Sequence, residues 1–174
     1  MIDEFELPNA VRAAIALGSN LGDSLVIVES AIEAIARVPG VQLIERSHLY
    51  KTAPVGPPQP DYINACVLVY TLLPPDTLLG VLLEIERQFG RVRRERWGPR
   101  LLDLDLLLYG NRMVNTPTLQ LPHPRMRDRA FVLWPLAEIA PDWVEPVTLK
   151  TMKALRDQID GSGIQIIITL GLNG

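Results

Sequence analysis

Between Leu101 and Tyr109 the chain reads Leu-Leu-Asp-Leu-Asp-Leu-Leu-Leu-Tyr. A strand sends alternate side chains to opposite faces, so Asp103 and Asp105 stand side by side on one face. Leu101 and Leu107 share that face, and Leu102, Leu104, Leu106 and Leu108 fill the other. A strand apolar on both faces reads as a central strand, where two unpaired ionised carboxylates are expensive. Something cationic has to face them. A pair of Mg2+ ions held by the carboxylates and by phosphate oxygens meets that need. Arginine beside the exposed side of an edge strand meets it as well, and the pair alone does not decide between them.

The pattern around this strand sets the architecture. Val11 to Gly18 is a short apolar run ending in Gly, Ser and Asn, and reads as a strand entering a turn. From Asp23 to Val38, Leu25, Val28, Ala31, Ile32 and Ile35 recur at helical spacing until Pro39-Gly40 stops them. Val41 to Lys51 and Tyr62 to Leu72 read as strands on either side of a proline-rich loop, and Asp76 to Phe89 returns to helical spacing before Gly90. The order βαββαβ suits an α+β fold, a ferredoxin-like sandwich with both helices on one face of a four-stranded antiparallel sheet. Further on, Ala130 to Ala140 and Leu149 to Ile159 read as helices and Ile164 to Thr169 as a strand. A single domain spanning 1–174 is expected, with residues 1–10 a loose arm and 147–174 a C-terminal extension of unassigned role.

At 174 residues the chain is long enough to build a core without disulfides or a structural metal. Cys66 is its only cysteine, which excludes a disulfide framework and fits a reducing cytoplasm. The acidic N-terminus is unlike a signal peptide, and no apolar run reaches the roughly 20 residues of a membrane span. Seventeen basic residues against 20 acidic give a net charge of -3, which argues against a general nucleic-acid coat. The basic residues are nevertheless 14 Arg to 3 Lys, and arginine's planar fork binds phosphate in a bidentate way.

Five of those arginines, Arg91, Arg93, Arg94, Arg96 and Arg100, fall in ten residues just ahead of the acidic strand. Positive charge next to paired carboxylates points to a polyphosphate held between them, although a basic loop in solvent has the same composition. Arg125, Arg127 and Arg129 alternate beyond His123, itself set between Pro122 and Pro124, and offer a second positive wall or an exposed turn. On the strand after the proline-rich loop, Tyr62 and Asn64 share a face, placing a ring and an amide where a flat heterocycle would be recognised. Gly18 to Asp23 lacks the Gly-Lys-Ser/Thr ending of a Walker A loop.

Taken in order, Ile15 to Asp23, Tyr50-Lys51-Thr52, Pro60 to Ala65, Arg96-Trp97-Gly98-Pro99-Arg100-Leu101-Leu102-Asp103-Leu104-Asp105, Leu121 to Pro124 and Arg129 to Leu136 form a specific set. Over residues 12 to about 146 the chain resembles the 6-hydroxymethyl-7,8-dihydropterin pyrophosphokinase family of folate biosynthesis. The resemblance implies an ATP-dependent diphosphotransferase acting on 6-hydroxymethyl-7,8-dihydropterin. It implies that Asp103 and Asp105 bind two Mg2+ ions bridging the ATP phosphates. Glu86, Arg91, Arg93, Arg100, Leu106, His123 and Arg129 would serve the nucleotide, with Arg91, Arg93 and Arg100 also counted as catalytic. Thr52, Val55, Tyr62 and Asn64 would bind the pterin, its ring sandwiched between Trp97 and Phe131. A cytoplasmic monomer, with no nucleic-acid or membrane partner, is the corresponding expectation.

The sequence departs from better-known members at Ala53, where a proline is usual, at Leu83 in place of a glutamine, at Thr118 in place of an arginine and at Pro124 in place of an aromatic residue. The arginine loop is also one residue shorter. Two other classes compete. An RNA-recognition module shares the βαββαβ order but stacks bases on aromatic residues of its central strands, and the first strand here has none. A two-metal phosphoesterase would need more metal ligands than the sequence offers. If Trp97 stacks on the pterin, Trp97→Ala weakens pterin binding measured by calorimetry; an unchanged affinity would refute the stacking.

Overall fold

A central strand, β1 (Val11–Ser19), pairs antiparallel on one side with β4 (Tyr62–Thr71) and on the other with β5 (Asp103–Tyr109). The structure, a computed structural model, describes residues 8–54, 57–90 and 101–167. Beyond β4 lie β2 (Val41–Arg46) and β3 (Leu49–Thr52), which follow one another along the same edge of β4, and β8 (Ile164–Ile167) pairs with β3. The result is a mixed α/β architecture in which helices pack on a six-stranded antiparallel sheet, β5-β1-β4-β3-β8, with β2 also on β4.

Alternation along β1 sorts the two cores. Ala13, Ile15 and Leu17 join Ile63, Ala65, Val67, Val69, Leu104 and Leu106 under α1 (Ser24–Ala36) and α2 (Pro75–Phe89). Ala14 and Ala16 face the other way, with Cys66, Leu68 and Leu107, under α3 (Ala130–Ile139) and α4 (Met152–Asp157). The first two helices therefore share one face, as the βαββαβ order predicts. Helix α1 starts where the Asp23 side chain accepts the Val26 N–H, and the chain leaves it through Gly40 at a φ of +83°. Helix α2 has Pro75 in its first turn and buries Leu78, Leu82 and Ile85. Leu83, counted among the helical apolar positions, is turned to solvent.

Four differences from the sequence reading have physical causes. The acidic strand β5 is not central but lies at the end of the sheet. It is apolar on both faces because α2 covers one and α3's core covers the other, while its open edge meets the His123 N–H, which donates to the Leu107 carbonyl at 2.9 Å. A small hairpin, β6 (Val114–Asn115) with β7 (Gln120–Leu121), precedes that loop. Val41 to Lys51 is two strands rather than one. At the break, the Ser47 Oγ accepts the Cys66 N–H at 2.9 Å in place of a regular ladder partner. The helix expected at Leu149 to Ile159 is confined to α4, because Leu149 takes a positive φ of 63° and Thr151 caps the first turn.

A buried carboxylate fastens the connection between α3 and α4. Glu145 is fully buried, and it is paired with Arg127 while accepting backbone N–H groups from Val147 and Thr148. Burial pushes its pKa up, but the Arg127 guanidinium and the two backbone donors outweigh burial and hold it below the ordinary glutamate range. A lowered folded-state pKa stabilises the fold above the unfolded value of about 4.3 and stops doing so as pH falls through the folded value. Glu145→Gln is expected to cost on the order of 3 kcal/mol at neutral pH. Urea unfolding across pH should show the difference from the wild type shrinking as the medium is acidified, and a pH-independent difference would contradict this assignment.

Candidate active site

The register of β1 builds the site. Gly18 is paired with Asn64 on β4 and with Asp103 on β5, so the amide, the glycine and the carboxylate lie in one row across three strands. Ala16 sits in the next row between Cys66 and Asp105. All of these point to the face that α3 covers only in part, and beyond its first turn the face opens into a cavity of about 470 Å3. Its floor is Gly18. A Cβ there would lie 2.8 Å from the Asn64 Nδ2, closer than packing allows.

The walls come from three directions. Thr52, Ala53, Pro54 and Gln59 of the proline-rich loop, with Tyr62 and Asn64, form one; Phe131 and Val132 at the start of α3 form the second; Asp103, Asp105, Glu86, His123 and Arg129 form the third. Thr52 Oγ1 donates to Asn64 Oδ1 at 2.9 Å, and both residues are buried. That bond fixes which way the Asn64 amide faces, leaving its NH2 end over Gly18. On the loop's far end the buried Asn20 donates from Nδ2 to Gln59 Oε1 at 2.9 Å and to the Pro60 carbonyl at 3.3 Å.

A second depression, of about 440 Å3, adjoins the first. Leu79, Leu83 and Leu106 give it an apolar side, and Pro117, Thr118, Gln120 and Pro124 another. Glu86, Asp105 and His123 line both hollows. The Glu86 carboxylate accepts the backbone N–H of Leu104, between the two aspartates, at 2.6 Å, which ties the end of α2 to β5.

Charge converges on Asp105. Its Oδ1 is 3.9 Å from His123 Nε2 and its Oδ2 is 3.8 Å from Arg129 NH1, ion-pair separations too long for hydrogen bonds. His123 Nδ1 accepts the Arg125 N–H at 3.1 Å, so the proton of the neutral ring sits on Nε2, facing Asp105. Burial lowers the His123 pKa, Asp105 raises it, and Arg129 and Arg125 lower it further; the balance is below the usual histidine value. Arg129 also lies over the Phe131 ring, 5.5 Å from its centre.

Of the residues singled out from the sequence, the structure brings together Thr52, Tyr62, Asn64, Glu86, Asp103, Asp105, His123, Arg129 and Phe131 around the first cavity. Leu106 lines the second. Val55, Arg91, Arg93, Trp97 and Arg100 lie outside the described residues. The alternating arginines divide: Arg129 faces the site, and Arg127 is turned away onto Glu145. Sequence reasoning missed Gly18, Asn20 and Gln59. The Gly18 role follows from register, which the sequence does not print; the run of small residues Ala14, Ala16 and Gly18 on one strand face was the available clue.

Comparison with known proteins identifies one family. Residues 14–141 match the family described as 7,8-dihydro-6-hydroxymethylpterin-pyrophosphokinase (HPPK). A 2-amino-4-hydroxy-6-hydroxymethyldihydropteridine pyrophosphokinase of Synechocystis sp. is 49% identical over 152 residues, 87% of this chain and 78% of that protein. One from Methylorubrum extorquens is 45% identical over 155 residues, 88% of this chain and 97% of the relative. Among solved structures, Plasmodium falciparum HPPK-DHPS with pterin and p-hydroxybenzoate superposes with a TM-score of 0.69 at 15% identity, covering 88% of this chain. The chain spans 44% of that longer protein, and at this identity the likeness speaks for the fold alone.

Gly18→Ala tests the floor. The added methyl is expected to cost about 1–3 kcal/mol and to push the Asn64 amide aside, moving its side-chain NH2 signals in a 15N–1H spectrum. Unmoved signals would mean that the floor has room to spare.

Proposed function

The chain belongs to the 7,8-dihydro-6-hydroxymethylpterin-pyrophosphokinase family, and on that premise we propose how its two joined cavities divide the work. The activity is that of a diphosphokinase of folate biosynthesis, moving diphosphate from ATP to the hydroxymethyl group of 6-hydroxymethyl-7,8-dihydropterin. The observation that carries the division is that Asp105, His123 and Glu86 line both hollows. The pterin occupies the first, the nucleotide the second, and the transferred group lies where they meet.

In the first cavity the Asn64 NH2, held by Thr52, donates to the pterin edge, and the ring lies against Phe131 with Tyr62 beside it; Trp97 and Val55 keep the pterin-binding roles that the family resemblance implies and lie outside the described residues. In the second, Leu106 and the apolar side of α2 take the nucleoside, and Glu86 holds β5 against the end of that helix. Asp103 lines the first cavity and Asp105 both, with Asp105 about 40% exposed, so the two carboxylates are placed to accept hard cations where the hollows meet. Among the described residues no cluster of three or more His, Cys, Asp or Glu is present. This donor set fits Mg2+, which keeps few protein ligands and completes its shell with phosphate oxygens and water. When bound there, two Mg2+ ions supply charge neutralisation of the triphosphate and acidify the attacking alcohol.

The pterin oxygen attacks the β-phosphorus in line, the bond from that phosphorus to the oxygen bridging it to the α-phosphate breaks, and AMP departs with the bond's electron pair. Arg129 and the Nε2–H of His123 stand at Asp105, where they meet the charge on the phosphates. Arg91, Arg93 and Arg100, outside the described residues, add positive charge to the phosphates as the family resemblance implies. We also read the β5-β1-β4 order, continued by β2 and β3, as a ferredoxin-like core, and the whole chain as one domain acting as a cytoplasmic monomer. The buried, free Cys66 supports a reducing compartment, and among the described residues no helix is long and apolar enough to cross a membrane.

The test is AMP release from ATP and Mg2+ with and without the pterin, following the pterin diphosphate by mass. Pterin-dependent AMP is expected, and Asp103→Ala or Asp105→Ala should abolish it while circular dichroism retains the folded signature. Near-normal turnover in either variant refutes the carboxylate assignment.

A further inference from the structure

The segment after α4 carries no motif, yet it pairs with the strand that ends in the wall of the first cavity. Asp160 opens the turn, its carboxylate accepting the Ser162 N–H at 3.0 Å and the Ser162 hydroxyl at 3.1 Å. Gly161 then lies against the indole of Trp134 on α3. A Cβ at Gly161 would stand 2.2 Å from Cζ2 and 2.3 Å from Cη2 of that ring, so only glycine fits. Ile164 N–H donates back to the Gly161 carbonyl at 3.1 Å, and β8 begins there. It pairs with the whole of β3, from Leu49 opposite Ile167 to Thr52 opposite Ile164. Ile159 packs into the α3–α4 core and Ile167 against the core on the other face, so the segment is seated on both.

β3 is four residues long and is in register with β4 only from Tyr50 to Thr52. Left as an edge, so short a strand opens at little cost. With β8 in place it is held on both sides. Its last residue, Thr52, is the one that fixes the Asn64 amide, and Ala53 and Pro54, which follow it, line the cavity.

We propose that β8, anchored by the Gly161–Trp134 contact, is a positioning element for pterin recognition, holding β3 so that Thr52 keeps Asn64 aimed into the cavity. This rests on the assignment of the first cavity to the pterin. The nucleotide hollow shares no residue with β3 or β8, so the two affinities separate a positioning role from a general loss of stability.

Calorimetry with 6-hydroxymethyl-7,8-dihydropterin in the presence of a non-hydrolysable ATP analogue, and with that analogue alone, compares the wild type with Gly161→Val and with a chain ending at Asp160. The expected result is a pterin Kd raised on the order of tenfold in both variants, as small displacements of a positioning group produce, with the nucleotide Kd unchanged and KM for the pterin rising with it. Should the shortened chain fail to fold, Gly161→Val, measured well below its own Tm, decides. An unchanged pterin Kd in a folded Gly161→Val protein overturns the inference, and so does a parallel fall of both affinities. A wild-type protein that binds nucleotide but no pterin would overturn the substrate assignment and this inference with it.

Discussion

The position of β1 between two antiparallel partners governs everything at the site. Because Gly18 is opposite both Asn64 and Asp103, the group proposed to read the pterin and the first of the carboxylates are fixed two strands apart across a residue with no side chain. A slip of one residue in either pairing would turn Leu17 into the cavity and Gly18 into the core. The same strand presents large residues, Ile15 and Leu17, to α1 and α2, but small ones, Ala14, Ala16 and Gly18, to the other face beyond Arg12. Those small residues let α3 come down close over Ala14 and Ala16. Where α3 begins, Asn64 is the one described side chain within 4 Å of where a Gly18 Cβ would stand, and the cavity opens there.

Electrostatics then divides the charged residues between folding and chemistry. Arg127 and Arg129 are two positions apart, on either side of the end of a short 3-10 turn at Met126–Asp128, and they leave it in different directions. Arg127 neutralises Glu145, whose burial would otherwise be costly, whereas Arg129 stands 3.8 Å from Asp105, beyond hydrogen-bond distance, and faces the space an incoming anion would enter. Glu86 serves both ends. Its bond to the Leu104 N–H uses a backbone donor between the two aspartates, so the helix that walls the second hollow is fastened to the strand that carries the acids.

Much of this was legible in the sequence, and the parts that were not share a cause. The order of elements follows from periodicity, and the common face of Asp103 and Asp105 from their spacing alone. The edge position of β5 was hidden because coverage by α2, by the α3 core and by the His123 backbone gives an edge strand the composition of a central one. Likewise the break between β2 and β3 depends on Ser47 substituting its hydroxyl for a ladder partner. Leu83 counted as core by spacing, yet it borders a hollow rather than the sheet. Each of these is decided by a neighbour distant in sequence, which local pattern does not encode. The family motif recovered the chemistry and assigned no part to Gly18, Asn20 or the tail.

The proline-rich loop shows how these constraints combine. Its first residue, Thr52, is held from below by Asn64 and from the side by β8 through β3. Its other end is held by Asn20, whose buried amide binds Gln59 and Pro60, and by an ion pair of Lys51 with Asp61 at 3.5 Å. The buried Asn20 contact matters more than the exposed pair, since solvent screens the latter to a small contribution. A loop anchored at both ends can change shape only between its anchors, which leaves the Thr52–Asn64 bond and the Asn20 contacts as its fixed points. Under the proposed assignment, such a wall can exclude water from the phosphorus under attack without disturbing the group proposed to recognise the pterin.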